Sequence, residues 1–304
     1  MITQELIALF RACLPFVVRS DADIASAARH ADSRVLTRRS GDGELIGAAI
    51  VNRETILMLC VAEPWRRQGI GSGLLQEAET LIRAEGFRSV RAGVGYTYLM
   101  PGVPTTRHRF PAVHERLDDR LTAEADDFFI RRGYRHSGDC DCFDMRFSLS
   151  GMPEVPPPAL NDDSGEVLYR WAQPGDMAAV EACVGDAMPD FVPYYRSASL
   201  YGGGSGREGA LLAIRGGEVA GAIIVGVDSE KDALGSIGCT CVRHRDRGQG
   251  IAAHLAHLAT AELRRMGMRE AWLSYTYTGL DKLYGRAGYR ISVYYMMAEK
   301  ELNP

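Results

Sequence analysis

The stretch Val61-Ala62-Glu63-Pro64-Trp65-Arg66-Arg67-Gln68-Gly69-Ile70-Gly71 occurs a second time as Val242-Arg243-His244-Arg245-Asp246-Arg247-Gly248-Gln249-Gly250-Ile251-Ala252. The offset is 181 residues, and it also carries Cys60 onto Cys241, Leu74 onto Leu255 and Gly86 onto Gly267. A shared turn, helix face and helix stop make the chain a duplication. Each copy reads as strand, basic glycine-rich turn, helix. Ile56 to Val61 is an apolar run long enough for a buried strand; Leu74, Leu75, Ala78, Leu81 and Ile82 then fall on one helical face, which Gly86 ends. Leu255, Ala256, Ala259 and Leu263 repeat that face, with Gly267 at its end. Glycine lets a ligand approach the backbone, and the unpaired amides of a helix's first turn attract anions. Each turn therefore reads as a pyrophosphate cradle.

Two phosphate-loop templates do not fit. A Walker loop ends in Gly-Lys-Ser/Thr, and a dinucleotide fingerprint needs Gly-x-Gly-x-x-Gly with an acidic residue about 20 positions on. Neither turn has these features. What fits is Arg66-x-x-Gly69-x-Gly71 and Arg247-x-x-Gly250-x-Ala252, a pattern that resembles the coenzyme A loop of the GNAT acetyltransferase superfamily. The resemblance covers both halves and implies an α/β (α+β) chain of two fused GNAT-type lobes, each a mixed twisted sheet flanked by helices. It also implies acetyl-CoA as co-substrate. The implied cofactor-binding positions are Cys60, Val61, Arg66, Arg67, Gln68, Gly69, Ile70, Gly71 and Ser72 in one lobe, and Cys241, Val242, Arg247, Gly248, Gln249, Gly250, Ile251 and Ala252 in the other.

At 304 residues the chain suits two domains of about 150 residues each. The expected division is 1–150 for the first lobe, 151–166 for a proline-rich linker and 167–304 for the second lobe. With 35 basic and 39 acidic residues the net charge is −4, so neither a nucleic acid nor an anionic membrane is indicated as a partner. No apolar run reaches 18 residues and the N-terminus lacks a signal peptide's basic start, which predicts a cytoplasmic monomer or homodimer. Of seven cysteines, Cys13, Cys60, Cys183, Cys239 and Cys241 sit in apolar surroundings and read as reduced core residues. Cys140-Asp141-Cys142 has no partner pair at zinc spacing, so no metal is expected.

Along the chain, helices are predicted from Thr3 to Cys13 and from Ser20 to Ala31, with no strand before them. A hairpin follows around Ser40-Gly41-Asp42-Gly43. After the strand Ser89 to Val94 the copies part: Gly133-Tyr134-Arg135 matches Gly288-Tyr289-Arg290 at an offset of only 155, so the first copy holds 26 extra residues, among them His108 and His114. Such a loop suits a lid or an ordinary surface segment. The second lobe opens with a strand from Val167 to Trp171 and a helix after Pro174-Gly175-Asp176, and Tyr201 to Gly206 reads as a mobile substrate-side loop.

Acetyl transfer needs a neutral amine, a polarised carbonyl and an acid for the departing thiolate. The resemblance implies that the strand before each cradle splays from its neighbour and that its main chain at Cys60-Val61 or Cys241-Val242 polarises the thioester. It further implies direct attack by the amine, with a tyrosine acid four residues before a Gly-aromatic pair. That residue is Tyr284 in the second copy and Phe129 in the first. A phenylalanine has no proton to give, so the second lobe is expected to carry the chemistry. Asp228, Glu230, Asp232 and Glu54 are candidate bases, with water as an alternative, and Tyr277 and Thr278 are candidate contacts to the acceptor. The leading expectation is an N-acetyltransferase acting on a small-molecule amine. The alternatives are a non-catalytic coenzyme A sensor module, or a tandem thiol-precursor acetyltransferase resembling mycothiol synthase.

Overall fold

The computed structural model describes residues 2–93, 99–105, 124–137, 142–151 and 167–302. The segment Tyr96-Thr97-Tyr98, the histidines His108 and His114, Cys140-Asp141 and nearly all of the expected linker lie outside the described residues.

The first copy runs α1 (Ile2–Cys13), α2 (Asp21–Arg29), β1 (Ser33–Arg39), β2 (Leu45–Asn52), β3 (Thr55–Val61), α3 (Ile70–Ala84), β4 (Ser89–Ala92), β5 (Val103–Thr105), α4 (Glu124–Ile130), β6 (Arg135–His136) and β7 (Cys142–Ser148). The second runs β8 (Leu168–Trp171), α5 (Met177–Ala187), β9 (Glu208–Arg215), β10 (Glu218–Ser229), β11 (Leu234–Val242), α6 (Ile251–Arg265), β12 (Glu270–Tyr277), α7 (Asp281–Arg286), β13 (Arg290–Met296) and β14 (Ala298–Glu301). Local chemistry explains several boundaries. Ser20 and Asp23 cap α2 reciprocally, satisfying amides that would otherwise be orphaned. Helix α3 buries Leu74, Leu75, Ala78 and Ile82, the stripe expected from their spacing, and α6 buries Leu255, Ala256, Ala259 and Leu263. No described helix is long and apolar enough to cross a membrane.

The chain folds into two compact units, Met1–Asp144 with Ile291–Pro304, and Met145–Arg290. This corrects the expected division at 1–150 and 167–304: the last 14 residues belong with the first unit. The reason is strand pairing. In the first unit the sheet order is β1-β2-β3-β4-β14-β6, and β14 runs antiparallel to β4 from Ala298 opposite Ala92 to Glu301 opposite Ser89. The 155-residue offset makes β14 the counterpart of β7, whose residues from Met145 onward belong to the second unit. Met296, Ala298 and Leu302 enter one core with Ile56, Leu75, Phe129 and Tyr134. In the second unit the strands run β8-β9-β10-β11-β12, antiparallel except for the parallel pair β11 and β12.

Candidate active site

Both cradles form as the glycine pattern requires. A short 3-10 turn, Glu63–Trp65 or His244–Asp246, leads from the strand into a left-handed glycine that caps the helix: Gly69 at φ 84° and Gly250 at φ 83°. Unlike α2, neither α3 nor α6 has a side chain capping its first turn. No backbone amide from Arg67 to Ser72, or from Gly248 to Ala253, donates to a protein acceptor among the described residues. A Cβ on Gly69, Gly248 or Gly250 would meet nothing within 4 Å, so the space before these amides is open. A row of outward amides at the positive end of a helix attracts anions.

The side chains of these turns do a different job. Arg66 Nε donates to the Val61 carbonyl at 3.0 Å and Arg247 Nε to the Val242 carbonyl at 3.1 Å, so each arginine ties its turn to the end of its strand. Arg247 also donates to the Ala187 carbonyl at 2.9 Å. Gln68 reaches back to the Pro64 carbonyl, and Gln249 accepts from Arg215. The pattern's polar side chains brace the loop, and its amides face outward.

Below the second cradle the sheet forks. Strands β11 and β12 pair in parallel only from Leu234 opposite Glu270 to Ser236 opposite Trp272, although they continue to Val242 and Tyr277. Three residues past the last rung, each strand holds a non-glycine residue in the left-handed region: Cys239 at φ 49° and Tyr275 at φ 54°. Such residues cost about 1–2 kcal/mol each, and Cys239 sits where the pairing of β11 with β10 shifts register, a bulge that turns the strand from its neighbour. The bulge is locked by Tyr195, fully buried, whose hydroxyl donates to the Cys239 carbonyl at 2.9 Å. Tyr201 in turn donates to the Tyr195 carbonyl at 2.7 Å. Over six residues the fork is about 20 Å deep at roughly 3.3 Å per residue.

Tyr284 of α7 enters this fork and donates its hydroxyl to Thr240 Oγ1 at 3.0 Å. Burial pushes its pKa up to about 12, with the bond to Thr240 acting in the other direction, so it keeps its proton at neutral pH. Burial pushes the Cys239 thiol up to about 12, and the neighbouring Cys183 thiol together with burial raises Cys241, so neither is a thiolate nucleophile. Tyr277 and Thr278 stand at the fork's mouth, level with Cys241 and Val242 when the parallel register is extended.

In the first unit β3 and β4 pair, among the described residues, at Thr55–Arg91 and Ile56–Ala92. The side chains here differ. Leu59 stands at the Thr240 position and Phe129 at that of Tyr284, and Phe129 packs edge-on against Phe128 and Tyr134. The Phe128 ring lies 3.5 Å from where a Cβ on Gly71 would be, and Arg132 stacks on that ring at 3.9 Å and donates to Ser72 Oγ at 2.5 Å.

Among the candidate bases, Glu230 is an exposed partner of Arg207 at 3.3 Å and Asp232 closes a turn with Ser229. The Glu54 carboxylate lies 3.7 Å from Arg53. Only Asp228 lies at the fork, where Ser236 Oγ donates to it at 3.1 Å and Trp272 Nε1 at 2.7 Å. Sequence reading missed Thr240, Trp272 and Tyr195. A threonine between two cysteines in an otherwise apolar strand was the one local sign of the first.

A strand–turn–helix cradle thus stands above a parallel pair that parts past Ser236 and Trp272, with a protonated phenol between the strands. The chain belongs to the acetyltransferase (GNAT) family, whose model matches residues 3–99 and 177–289. It is similar in fold to a GCN5-related glucosamine N-acetyltransferase region of a fungal multi-domain GH3 β-N-acetylglucosaminidase, at 17% identity and a TM-score of 0.71, covering 98% of this chain and 36% of that one. A GCN5-related N-acetyltransferase from Sphaerobacter thermophilus matches at 22% identity and a TM-score of 0.70, covering 99% and 92%. A tandem GNAT protein from the clavulanic acid biosynthesis pathway, solved without AcCoA, matches at 19% and 0.70, covering 99% and 95%. No curated protein matches the chain.

Proposed function

We propose that the protein is an acetyl-CoA-dependent N-acetyltransferase whose second lobe moves the acetyl group directly to a small-molecule amine. The observation that carries this reading is the Tyr284–Thr240 hydroxyl pair inside the only described fork with such a proton donor. In this reading the amides of Gly248 to Ala253 hold the pyrophosphate, and the coenzyme arm descends between β11 and β12. The amine nitrogen attacks the thioester carbon, the C–S bond breaks, and Tyr284 supplies the proton that the sulfur takes. The amine's surplus proton leaves to a carboxylate or to water, and Tyr284 regains a proton from solvent before the next turnover. Acetyl-CoA supplies the acyl group and the sulfur leaving group; the chain's own residues bind, orient and donate a proton.

Thermal melts with acetyl-CoA and with desulfo-CoA test the binding half. Both should raise the Tm as ligand concentration rises above Kd. Release of free coenzyme across a panel of amines tests the transfer half, and a panel on which no amine releases coenzyme while acetyl-CoA still binds would leave a sensor instead of an enzyme.

A further inference from the structure

We propose that Tyr195 is a positioning residue for the proton donor: its hydroxyl holds the Cys239 bulge and so sets Thr240 where it accepts from Tyr284. This rests on the transferase reading above and names what aims the donor that reading invokes.

The strand needs holding. Along β11 the pairing with β10 passes from Gly238 opposite Ile224 to Cys241 opposite Ala222, so Cys239 and Thr240 stand against the single residue Ile223. An extra residue disrupts the ladder locally. Here the bulge also carries a left-handed backbone, φ 49° at Cys239, which an L side chain adopts only when its surroundings impose it. The imposing group is Tyr195, whose hydroxyl donates to the Cys239 carbonyl at 2.9 Å. That carbonyl belongs to the planar peptide unit joining Cys239 to Thr240. Fixing it fixes the plane from which the Thr240 side chain departs, and Thr240 Oγ1 accepts from the Tyr284 hydroxyl at 3.0 Å.

Tyr195 is itself held on several sides. It lies in the 3-10 segment Pro189–Arg196, takes the Tyr201 hydroxyl on its own carbonyl at 2.7 Å, and packs in one core with Val184, Leu200, Leu212 and Cys241. At 0% exposed it has no surface to offer coenzyme or acceptor, so its influence on the reaction runs through Thr240. A phenylalanine here would keep the packing and leave the Cys239 carbonyl without that donor. The first unit shows the alternative. There the register of β3 shifts between Met58 opposite Ile50 and Ile56 opposite Val51, no described residue of β3 has a positive φ, and Leu59 offers no hydroxyl to place. A strand with no proton donor to aim carries no left-handed bulge.

The full-length protein is labelled with fluorotyrosine, and the Tyr284 line in the fluorine NMR spectrum is identified by its absence in Tyr284→Phe. Tyr195→Phe should move that line, whereas Thr260→Val, which removes a different buried hydroxyl of the same unit, should not. With an amine that releases coenzyme, Tyr195→Phe should lower kcat about tenfold, a part of the roughly hundredfold expected for loss of a general acid, with the KM for acetyl-CoA little changed. In the Tyr284→Phe background the same change should cost almost nothing further, because no proton is left to aim. Cys239→Gly relieves the left-handed strain and should return part of kcat to the Tyr195→Phe protein. Should Tyr195→Phe alone fail to fold, the Tyr195→Phe, Cys239→Gly double variant carries the same comparison. An unmoved Tyr284 line, losses that multiply in the double variant with Tyr284→Phe, no recovery with Cys239→Gly, or an equal fall in kcat in Thr260→Val would overturn the proposal. A moved line with no turnover on any amine would instead overturn the transferase reading and leave the coupling of Tyr195 to Tyr284 standing.

Discussion

In the first lobe Leu59 and Phe129 occupy the places that Thr240 and Tyr284 hold in the second, yet both lobes keep a left-handed glycine, an uncapped helix and a row of outward amides. The surroundings differ in the same sense. Every residue of β2 is buried, whereas the equivalent strand β10 is buried only from Val219 to Ile223 and at Val225. The anion cradle survives because it is made of backbone, which most substitutions leave in place. The proton donor is a side chain, and one substitution removes it. After a duplication, a shared binding loop is therefore weak evidence for shared chemistry, and the contents of the fork decide.

The comparison is tested most severely by removing the exchanged strand. Truncation after Arg290 deletes only second-copy sequence but should unfold the first unit, because it removes Met296, Ala298 and Leu302 from that core at about 2–5 kcal/mol for each large side chain. Loss of amide protection in β3 and β4, with α6 still protected, is the expected pattern; protection kept in β4 would contradict the pairing.

Next in size is the cradle pair. Gly250→Glu forces a side chain into a left-handed position and sets a negative charge before the amides. Losing about three charge-assisted hydrogen bonds at roughly 1.5 kcal/mol each should weaken coenzyme binding to the second lobe by about a thousandfold. Gly69→Glu should leave turnover nearly unchanged. If calorimetry and kinetics give the reverse order, the lobes have been assigned the wrong way round.

Tyr284→Phe should lower kcat about a hundredfold with the coenzyme affinity retained, the usual scale for loss of a general acid. Phe129→Tyr should restore nothing, since Leu59 cannot accept its hydrogen bond. The same tyrosine gives a pH prediction. Its pKa in the folded protein lies above its ordinary value near 10, so its contribution to stability is complete below pH 10 and is lost as pH rises towards 12. Tyr284→Phe should remove part of the alkaline loss of stability between those limits.

The smallest expected effect concerns thiols. Cys13 is lowered to about 7, first by its contact with Cys60 and then by Arg66, and it is partly exposed. Its second-lobe analogue Cys183, lowered by Cys241, is buried. Alkylation at neutral pH should therefore mark Cys13 well ahead of Cys183, Cys239 and Cys241, as peptide mapping would show. Equal labelling of Cys13 and Cys183 would mean that burial does not separate the two lobes.

Much of the frame was legible from residue order. The hairpin around Ser40 to Gly43, the cap at Ser20, the amphipathic stripes of α3 and α6, and both cradles all depend on residues within a turn or two of each other. The base candidates were less legible: Asp228, Glu230 and Asp232 look alike in sequence, and only the fold sets one of them against Ser236 and Trp272.

By itself the order of residues determined the duplication, the two glycine turns and the presence of a phenol in one copy where the other has a bare ring. These are local patterns, written in spacing and side-chain chemistry. Tertiary structure alone decided that β14 completes the first unit's sheet, that Thr240 accepts the Tyr284 hydrogen bond, and that an aspartate stands where β11 and β12 part. Each of those rests on strand register between segments 44 or more positions apart, or on an exchange of strands between copies, and backbone pairing carries no mark of its distant partner in the sequence.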